Sequence, residues 1–248
     1  MSQEKSAKER GGPKKSSRSY FTIIHQDSDL IVADKRAGVL TVPIPGKQSR
    51  NLQEMLSKFL LKQKREALIV HRIDRYTSGL VVFAKHKRAR EKLVAQFRAH
   101  TPERTYLALA RGEFKEDSGT LRHNLELTRD GFRQRVVKEE GTPAVTHYKV
   151  IERFKGATLL EVKLDTGLKN QIRVQFGAAG HPLVGDRHYA ASEAGAKLLD
   201  RQALHAWKLA FTHPTKNIRV SYEAPIPNDF EYAIKWLKRA SKTSKKEG

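Results

Sequence analysis

Short apolar runs separated by turn residues recur along the chain, and this pattern predicts β-strands. The runs occupy residues 20–24, 30–33, 67–70, 80–84, 104–110, 146–154, 158–164, 206–211 and 218–222. The basic segment 119–138 has an Asp130-Gly131 pair at its centre, which predicts a strand–turn–strand hairpin. Strands therefore dominate the pattern, and short turns join most of them.

Fewer segments show helical spacing. Apolar residues in 51–65 recur at i, i+3, i+4, i+7 and i+8 and form one stripe, which is typical of an amphipathic helix. Residues 87–99 and 229–239 predict two more helices, and a short helix is expected to start near Asn170. Few helices among many strands predict the α+β class, with a mixed, largely antiparallel central sheet flanked by helices, and not a doubly wound βαβ array.

The segment 71–79 (H-R-I-D-R-Y-T-S-G) is polar and lies between two predicted strands. Because buried strands fix both of its ends, we expect a loop of defined shape. Its carboxylate, Asp74, lies between Arg72 and Arg75, and positive neighbours favour the ionised form of a carboxylate. A rigidly held anionic group is a candidate nucleophile or general base. The structural alternative is an aspartate that only caps a turn and pairs with an arginine.

The net charge indicates the class of partner. The 248 residues include 48 Lys and Arg against 27 Asp and Glu, a net charge of +21. Residues 1–19 and the last 14 residues contribute +4 and +5, which leaves +12 on the body of the chain. An excess of this size predicts a polyanionic partner, most commonly nucleic acid. We expect one folded domain over residues 20–240, a disordered basic tail over 1–19 and a second basic tail over 241–248.

Several classes of site and protein are excluded or disfavoured. The chain has no cysteine, which excludes disulfides, cysteine nucleophiles and thiolate zinc sites. Its ten histidines form no H-x-x-x-H pair with a helper glutamate, so we predict neither a metal nor a cofactor. No segment is apolar for the roughly 20 residues that span a bilayer, and no signal-peptide core is present. We therefore expect a cytoplasmic protein with no membrane contact, and a monomer because no coiled-coil pattern occurs.

The string H-R-I-D-R-Y-T-S-G-L-V-V-F-A-K, residues 71–85, resembles the signature loop of the RluA family of RNA pseudouridine synthases. Further matches follow in the family's order: R-T-Y-L-A-L-A-R-G at 104–112, G-L-K-N-Q-I-R-V at 167–174, G-H-P-L-V-G-D at 180–186, L-H-A at 204–206 and F-T-H-P at 211–214. The resemblance implies the pseudouridine synthase catalytic fold with a central active-site cleft. It also implies the isomerisation of specific uridines to pseudouridine in structured ribosomal or transfer RNA, by an aspartate-dependent mechanism with base flipping and without a cofactor.

The resemblance implies a role for each of five residues. Asp74 would be the catalytic aspartate, and its action as nucleophile or as base stays open. Arg173 would pair with it, because an unpaired buried carboxylate costs several kcal/mol. Tyr106 would stack on the target base, which is worth about 1–3 kcal/mol, and Val174 would form an apolar wall beneath the base. Arg72 would enter the space that the flipped base leaves. The alternatives are a core role for Tyr106 and contacts of the arginines with phosphate or solvent.

The chain also departs from the family's pattern. Its third motif has Leu168, Lys169, Asn170 and Gln175 where the family usually has Arg, Thr, His and His. These changes motivate a second hypothesis, a non-catalytic RNA-binding or ribosome-assembly protein on the same fold. A glycoside hydrolase is disfavoured, because that chemistry usually needs two carboxylates and the core motifs around Asp74, Tyr106 and Arg173 offer no second one.

Overall fold

The computed structural model describes residues 19–190 and 198–243. One 11-stranded sheet runs through the molecule in the order β1-β2-β4-β10-β5-β9-β8-β6-β7, with β3 paired to β4 and β11 paired to β10. The strands are β1 (Phe21–Gln26), β2 (Leu30–Lys35), β3 (Leu68–Ile69), β4 (Ser78–Ala84), β5 (Glu103–Arg111), β6 (Ser118–Leu127), β7 (Gln134–Val137), β8 (Thr142–Phe154), β9 (Ala157–Leu164), β10 (Leu204–Thr212) and β11 (Arg219–Glu223). The helices are α1 (Leu52–Leu60), α2 (Lys87–Arg98), α3 (Gln171–Ala178) and α4 (Asn228–Thr243).

The α+β class with a mixed sheet is confirmed. Among the described strands, β4 and β10 pair in parallel and the other neighbours pair antiparallel. The parallel contact joins Ser78 to His205 and Gly79 to Ala206, in the middle of the sheet. In the part of the chain that the structure describes, no helix is long and apolar enough to cross a lipid bilayer.

The centre of the sheet is covered by helices on both faces. Side chains alternate between the two faces of a strand. Ile31, Val81 and Phe83 belong to the apolar cluster that includes α1, and Val32 and Leu80 belong to the cluster that includes α2. All five are at most 1% exposed, and full burial of such a side chain contributes about 1.5–3 kcal/mol. The strands on either side of the polar segment are therefore fixed by the core.

Two predicted boundaries differ from the structure. The run 67–70 forms only the two-residue strand β3, because the backbone amide of Val82, next in the register on β4, donates to the ring of His71 at 3.1 Å. The predicted C-terminal tail 241–248 begins inside α4, which continues to residue 243. Most of the predicted N-terminal tail, residues 1–18, and residues 244–248 lie outside the described residues.

Gly79 is required where β4 meets β10. Its φ is +111°, a conformation that side-chain-bearing residues rarely adopt. A Cβ atom at this position would also collide with the backbone of Ala206 on the neighbouring strand. The absence of a side chain therefore allows the strand after the polar segment to approach the centre of the sheet.

Candidate active site

The polar segment between β3 and β4 forms a loop whose backbone groups are held by hydrogen bonds on both sides of Asp74. The backbone amide of Thr77 donates a hydrogen bond to the carbonyl of Asp74, with N and O 3.1 Å apart. The buried hydroxyl of Thr41 donates to the carbonyl of Ile73 at 2.8 Å. The Ile73 amide donates back to the same hydroxyl at 3.3 Å. These bonds position the backbone on both sides of Asp74.

Lys35, the last residue of β2, binds the loop through the backbone carbonyl of Arg75. Its ammonium is fully buried and donates to the carbonyls of Val39, Arg36 and Arg75, at 2.8, 3.1 and 3.1 Å. Burial lowers the pKa of Lys35 to about 7, while nearby Asp74 acts in the opposite direction. Three carbonyl acceptors match the three donors of a charged ammonium. Lys35 thus ties the end of β2 to the backbone of Arg75 in the loop.

Arg173 on α3 contacts the carboxylate of Asp74. Its Nη1 lies 3.3 Å from Asp74 Oδ2, and its side chain is 7% exposed. The guanidinium makes a tighter, bidentate contact with Asp186, at 2.7 Å to Oδ2 and 3.0 Å to Oδ1. Arg173 therefore joins two carboxylates, and the contact with Asp186 sets the orientation of its planar guanidinium.

Asp186 is a site residue that sequence reasoning missed. Its side chain is fully buried, and it also accepts the backbone amides of His188 and Tyr189, at 2.9 and 3.3 Å. Burial raises the pKa of Asp186, but the hydrogen bonds and charge of Arg173 outweigh burial and hold it below its usual range. The signal was an acidic residue at the end of the otherwise apolar motif G-H-P-L-V-G-D.

Asn170 is a second residue whose role was missed. Its Nδ2 donates to Asp74 Oδ2 at 2.7 Å. It lies directly before α3 with φ +54°, a left-handed conformation that asparagine adopts more readily than most residues. Asn170 and Arg173 both bind Oδ2, and no residue in the described part of the chain donates to Asp74 Oδ1. The carboxylate is thus anchored by one oxygen, and the other is available.

A pocket opens in front of this carboxylate. Its polar lining includes Arg72 and Asn170, and its apolar lining includes Leu164, Leu168 and Leu204. Tyr106 on β5 forms another side, with 8% of its surface exposed. Burial raises the pKa of Tyr106. The phenol is therefore a neutral aromatic surface at physiological pH.

The two arginines next to Asp74 in sequence have different surroundings. Arg72 lines the pocket and has no hydrogen-bond or ion-pair partner among the described residues. Arg75 turns away, donates to the Gly38 carbonyl at 3.0 Å and lies over the ring of Tyr76 at 5.4 Å. The guanidinium in contact with Asp74 is that of Arg173, at 3.3 Å.

Val174 does not line this pocket, which corrects its expected position under the base. It packs with Leu125 and Ala144 in a separate apolar cluster. The reason is helix geometry, because consecutive residues of an α-helix point about 100° apart. With Arg173 directed at Asp74, its neighbour faces β6 and β8.

Gln175, one of the changed residues of the third motif, has structural contacts. It is fully buried, and its Nε2 donates to the carbonyls of Ala144 and Leu121, at 3.0 and 3.2 Å. Its Oε1 accepts the hydroxyl of Thr146 at 2.5 Å. Gln175 therefore connects α3 to β6 and β8 by hydrogen bonds, which fixes the position of the helix that carries Arg173.

One cluster of potential metal ligands is found among the described residues, formed by Asp27, Asp29 and His213. The His213 Nδ1 accepts the backbone amides of Thr215 and Lys216, at 3.3 and 3.1 Å. A neutral ring that accepts at Nδ1 carries its proton on Nε2, which donates to Asp27 at 2.9 Å. This tautomer offers no lone pair to a metal ion, so the cluster is a hydrogen-bond network away from Asp74.

Comparison with known proteins identifies one family. A family model described as RNA pseudouridylate synthase matches residues 29–178. "Ribosomal large subunit pseudouridine synthase D" of Neisseria meningitidis is 39% identical over 230 residues, which is 87% of this chain and 61% of that protein. "Dual-specificity RNA pseudouridine synthase RluA" of Pasteurella multocida is 39% identical over 212 residues, 83% of this chain and 93% of that one. The chain thus spans about three fifths of the first relative and nearly all of the second.

Solved structures agree on the fold. The human protein titled RNA Pseudouridylate Synthase Domain Containing 1 has a TM-score of 0.70 and 26% identity, covering 84% of each chain. The human protein titled RNA Pseudouridylate Synthase Domain Containing 4 has a TM-score of 0.72 at 23% identity, covering 87% of this chain and 92% of that one. At 23% identity, the likeness to the Domain Containing 4 protein shows the fold alone.

Proposed function

Because this chain belongs to the RluA family of RNA pseudouridine synthases, we propose that it isomerises uridine to pseudouridine in RNA, with Asp74 as the catalytic carboxylate. In this reaction the bond from uracil N1 to the sugar breaks, the base turns, and C5 bonds to the sugar. The proton on C5 is lost and N1 gains one, so no cofactor is consumed. The observation that carries the proposal is Asp74 anchored through Oδ2 by Asn170 and Arg173 at the wall of a pocket.

The free oxygen of Asp74 is the reacting atom in this proposal. Oδ1 could attack the sugar carbon or accept a sugar proton, and both routes need an ionised carboxylate with one oxygen free. Arg173 lies 3.3 Å from Oδ2 and places a positive charge beside the carboxylate. Hydrogen bonds to Oδ2 fix the direction of Oδ1, which lowers the entropic cost of reaching the reactive geometry.

The rest of the pocket suits a flipped pyrimidine. Tyr106 offers an aromatic face, and stacking on a base contributes about 1–3 kcal/mol. Leu164 and Leu204 add apolar surface to the same pocket. Extrusion of a base costs a few kcal/mol. The guanidinium of Arg72, which lines the pocket and has no partner among the described residues, is suited to fill the vacated stack.

Ribosomal or transfer RNA is the proposed substrate class. The net charge of +21 supports a polyanionic substrate, and the Neisseria relative is named for the ribosomal large subunit. Affinity for RNA should therefore fall steeply with salt, since bound lysines and arginines release counterions. A flat salt response would remove the electrostatic argument.

The test is to map pseudouridine across ribosomal and transfer RNA from cells with and without this gene. We expect one or a few sites to disappear on deletion and to return with the wild-type gene but not with Asp74→Asn. If no site changes, the purified protein is assayed on RNA from the deletion strain. RNA binding without turnover there would favour the non-catalytic RNA-binding hypothesis that the changed third motif motivates.

A further inference from the structure

The turn between β6 and β7, residues 128–133, is a tightly bonded tip, which we call the hairpin tip. The Thr128 amide donates to the carbonyl of Arg133 at 2.9 Å, and the Gly131 amide donates to the carbonyl of Thr128 at 2.7 Å. The carboxylate of Asp130 accepts the amide of Phe132 at 2.8 Å. The backbone that carries Phe132 is therefore held in one shape.

The ring of Phe132 projects from this tip into solvent. It is 68% exposed, although burial of such a side chain would contribute about 1.5–3 kcal/mol. A single exposed apolar side chain is ordinary in itself. Phe132 differs because a cation lies against it: the Nζ of Lys169 is 5.9 Å from the ring centroid and donates to the Gly131 carbonyl at 2.8 Å.

Lys169 connects the hairpin tip to the Asp74 pocket. Its neighbours in sequence, Leu168 and Asn170, both line that pocket. A second connection runs through Tyr189, whose hydroxyl accepts the amide of Gln134 at 3.0 Å. The ring of the same tyrosine lies 5.2 Å from the guanidinium carbon of Arg173. The hairpin tip is thus joined through Lys169 and Tyr189 to residues that line the pocket.

The charges around Phe132 match a nucleic acid strand. Arg129 and Arg133 lie on either side of it in sequence and are exposed. Arg133 is 4.0 Å from Asp130 with both groups about half exposed, so the arginine stays available to a phosphate. An exposed aromatic ring between cations is the pattern of surfaces that bind unpaired nucleotides.

We propose that the hairpin tip binds an unpaired nucleotide of the substrate RNA beside the target uridine, with Phe132 stacked on its base. Lys169 holds the ring in place, and Arg129 and Arg133 contact the flanking phosphates. The inference rests on the proposed function, since a uridine that enters the Asp74 pocket brings its neighbours to the tip. Lys169 is one of the residues in which this chain departs from the family's motif, so the contact would contribute to the choice of RNA.

The experiment uses the full chain and a fluorescein-labelled RNA stem–loop with seven unpaired uridines in its loop. Phe132→Ala should weaken the Kd about 5- to 160-fold, the range that one stacked base contributes. Its Tm should match that of the wild type, because the ring is exposed. Phe132→Trp should bind like the wild type, and the fluorescence of its added indole should be quenched when RNA binds.

Tyr232 supplies the matched control. It is 65% exposed on α4, a helix that contacts β8 through Lys238 and Glu152, whereas β6 of the hairpin pairs with β8 between Thr142 and Lys149. Tyr232→Ala should keep the wild-type Kd, and Tyr232→Trp should show no added quenching.

Two sets of outcomes separate this inference from the proposed function. Unchanged affinity of Phe132→Ala, absence of quenching in Phe132→Trp, or failure of the wild type to bind the RNA would each overturn the inference. If the predicted binding changes occur but no RNA is converted to pseudouridine, the proposed function fails while the nucleotide-binding tip stands.

Discussion

The substitution Asp186→Asn tests whether Asp74 depends on a partner that it does not touch. Asp186 is fully buried and accepts four hydrogen bonds, two of them from Arg173. Asparagine has the same shape, but its amide group is neutral and can accept through only one of its two terminal atoms. One guanidinium N–H would then meet an N–H₂ group, and Asp74 alone would compensate the charge of Arg173.

The expected magnitudes follow from this geometry. Breaking a buried ion pair by removing one partner costs about 3–5 kcal/mol. For a domain of this size each kcal/mol corresponds to about 2–4 °C in Tm, so the Tm should fall by roughly 6–20 °C. If Arg173 rotates, its hydrogen bond to Asp74 at 3.3 Å is lost. A hydrogen bond to a charged group is worth about 1.5–3 kcal/mol, which corresponds to a kcat roughly 10- to 100-fold lower.

The assay combines thermal unfolding with single-turnover conversion of RNA at a temperature where the variant remains folded. Glu152 on β8 and Lys238 on α4 form an ion pair at 2.8 Å, and neither residue lines the Asp74 pocket. Glu152→Gln should lower the Tm by less, since Glu152 is 38% exposed, and it should leave kcat unchanged. A wild-type kcat in folded Asp186→Asn would refute the argument that Asp186 positions Arg173.

Three further predictions concern the loop, the sheet and the response to acid. Asn170→Gly keeps the left-handed backbone but removes the 2.7 Å hydrogen bond to Asp74. In the single-turnover assay kcat should drop about 10- to 100-fold, with little change in Tm. A clear fall in Tm together with the lower kcat would contradict a role confined to the site. Gly79→Ala should lower the free energy of unfolding by more than about 3 kcal/mol in urea titrations, because its Cβ would collide with the backbone of Ala206. A decrease below about 1 kcal/mol would show that β4 and β10 can move apart to admit the methyl group. Burial raises the pKa of Asp27, but its hydrogen bonds outweigh burial and hold the pKa well below its usual range. A carboxylate whose pKa is lower in the folded protein than its unfolded value of about 3.9 stabilises the fold above that pH, and this stability is lost as the pH falls below it. The urea midpoint of Asp27→Asn should therefore fall less between pH 5 and pH 3 than that of the wild type. Parallel curves for the two proteins would contradict the assignment.

Local periodicity was sufficient to predict most of the elements. The strands from β4 to β11 and the four helices follow from alternating, continuous or helical apolar spacing, which acts over a few residues. The parallel pairing of β4 with β10 did not follow, because it joins Gly79 to a strand more than 120 residues away. Nor did the shortness of β3, because it depends on a side chain, His71, that accepts the backbone amide of Val82 on β4.

The site was predictable to a similar extent. Asp74, Tyr106 and Arg173 came from motif resemblance, and all three lie at one pocket. Asn170 contacts Asp74 across 96 residues of sequence, and no local pattern encodes that contact. Val174 was misplaced because a motif records which residues are adjacent in sequence, whereas the helix decides which of them face the pocket.

The most direct test of the central claim measures release of tritium from RNA labelled at C5 of uridine, since formation of the new carbon–carbon bond expels that hydrogen. The substrates are ribosomal and transfer RNA from cells that lack the gene, and the enzymes are the wild type and Asp74→Asn. We predict release by the wild type, and none by Asp74→Asn at an unchanged RNA affinity. Appreciable release by Asp74→Asn would contradict the role of Asp74 as the catalytic carboxylate, and absence of release by the wild type would contradict the proposed activity itself.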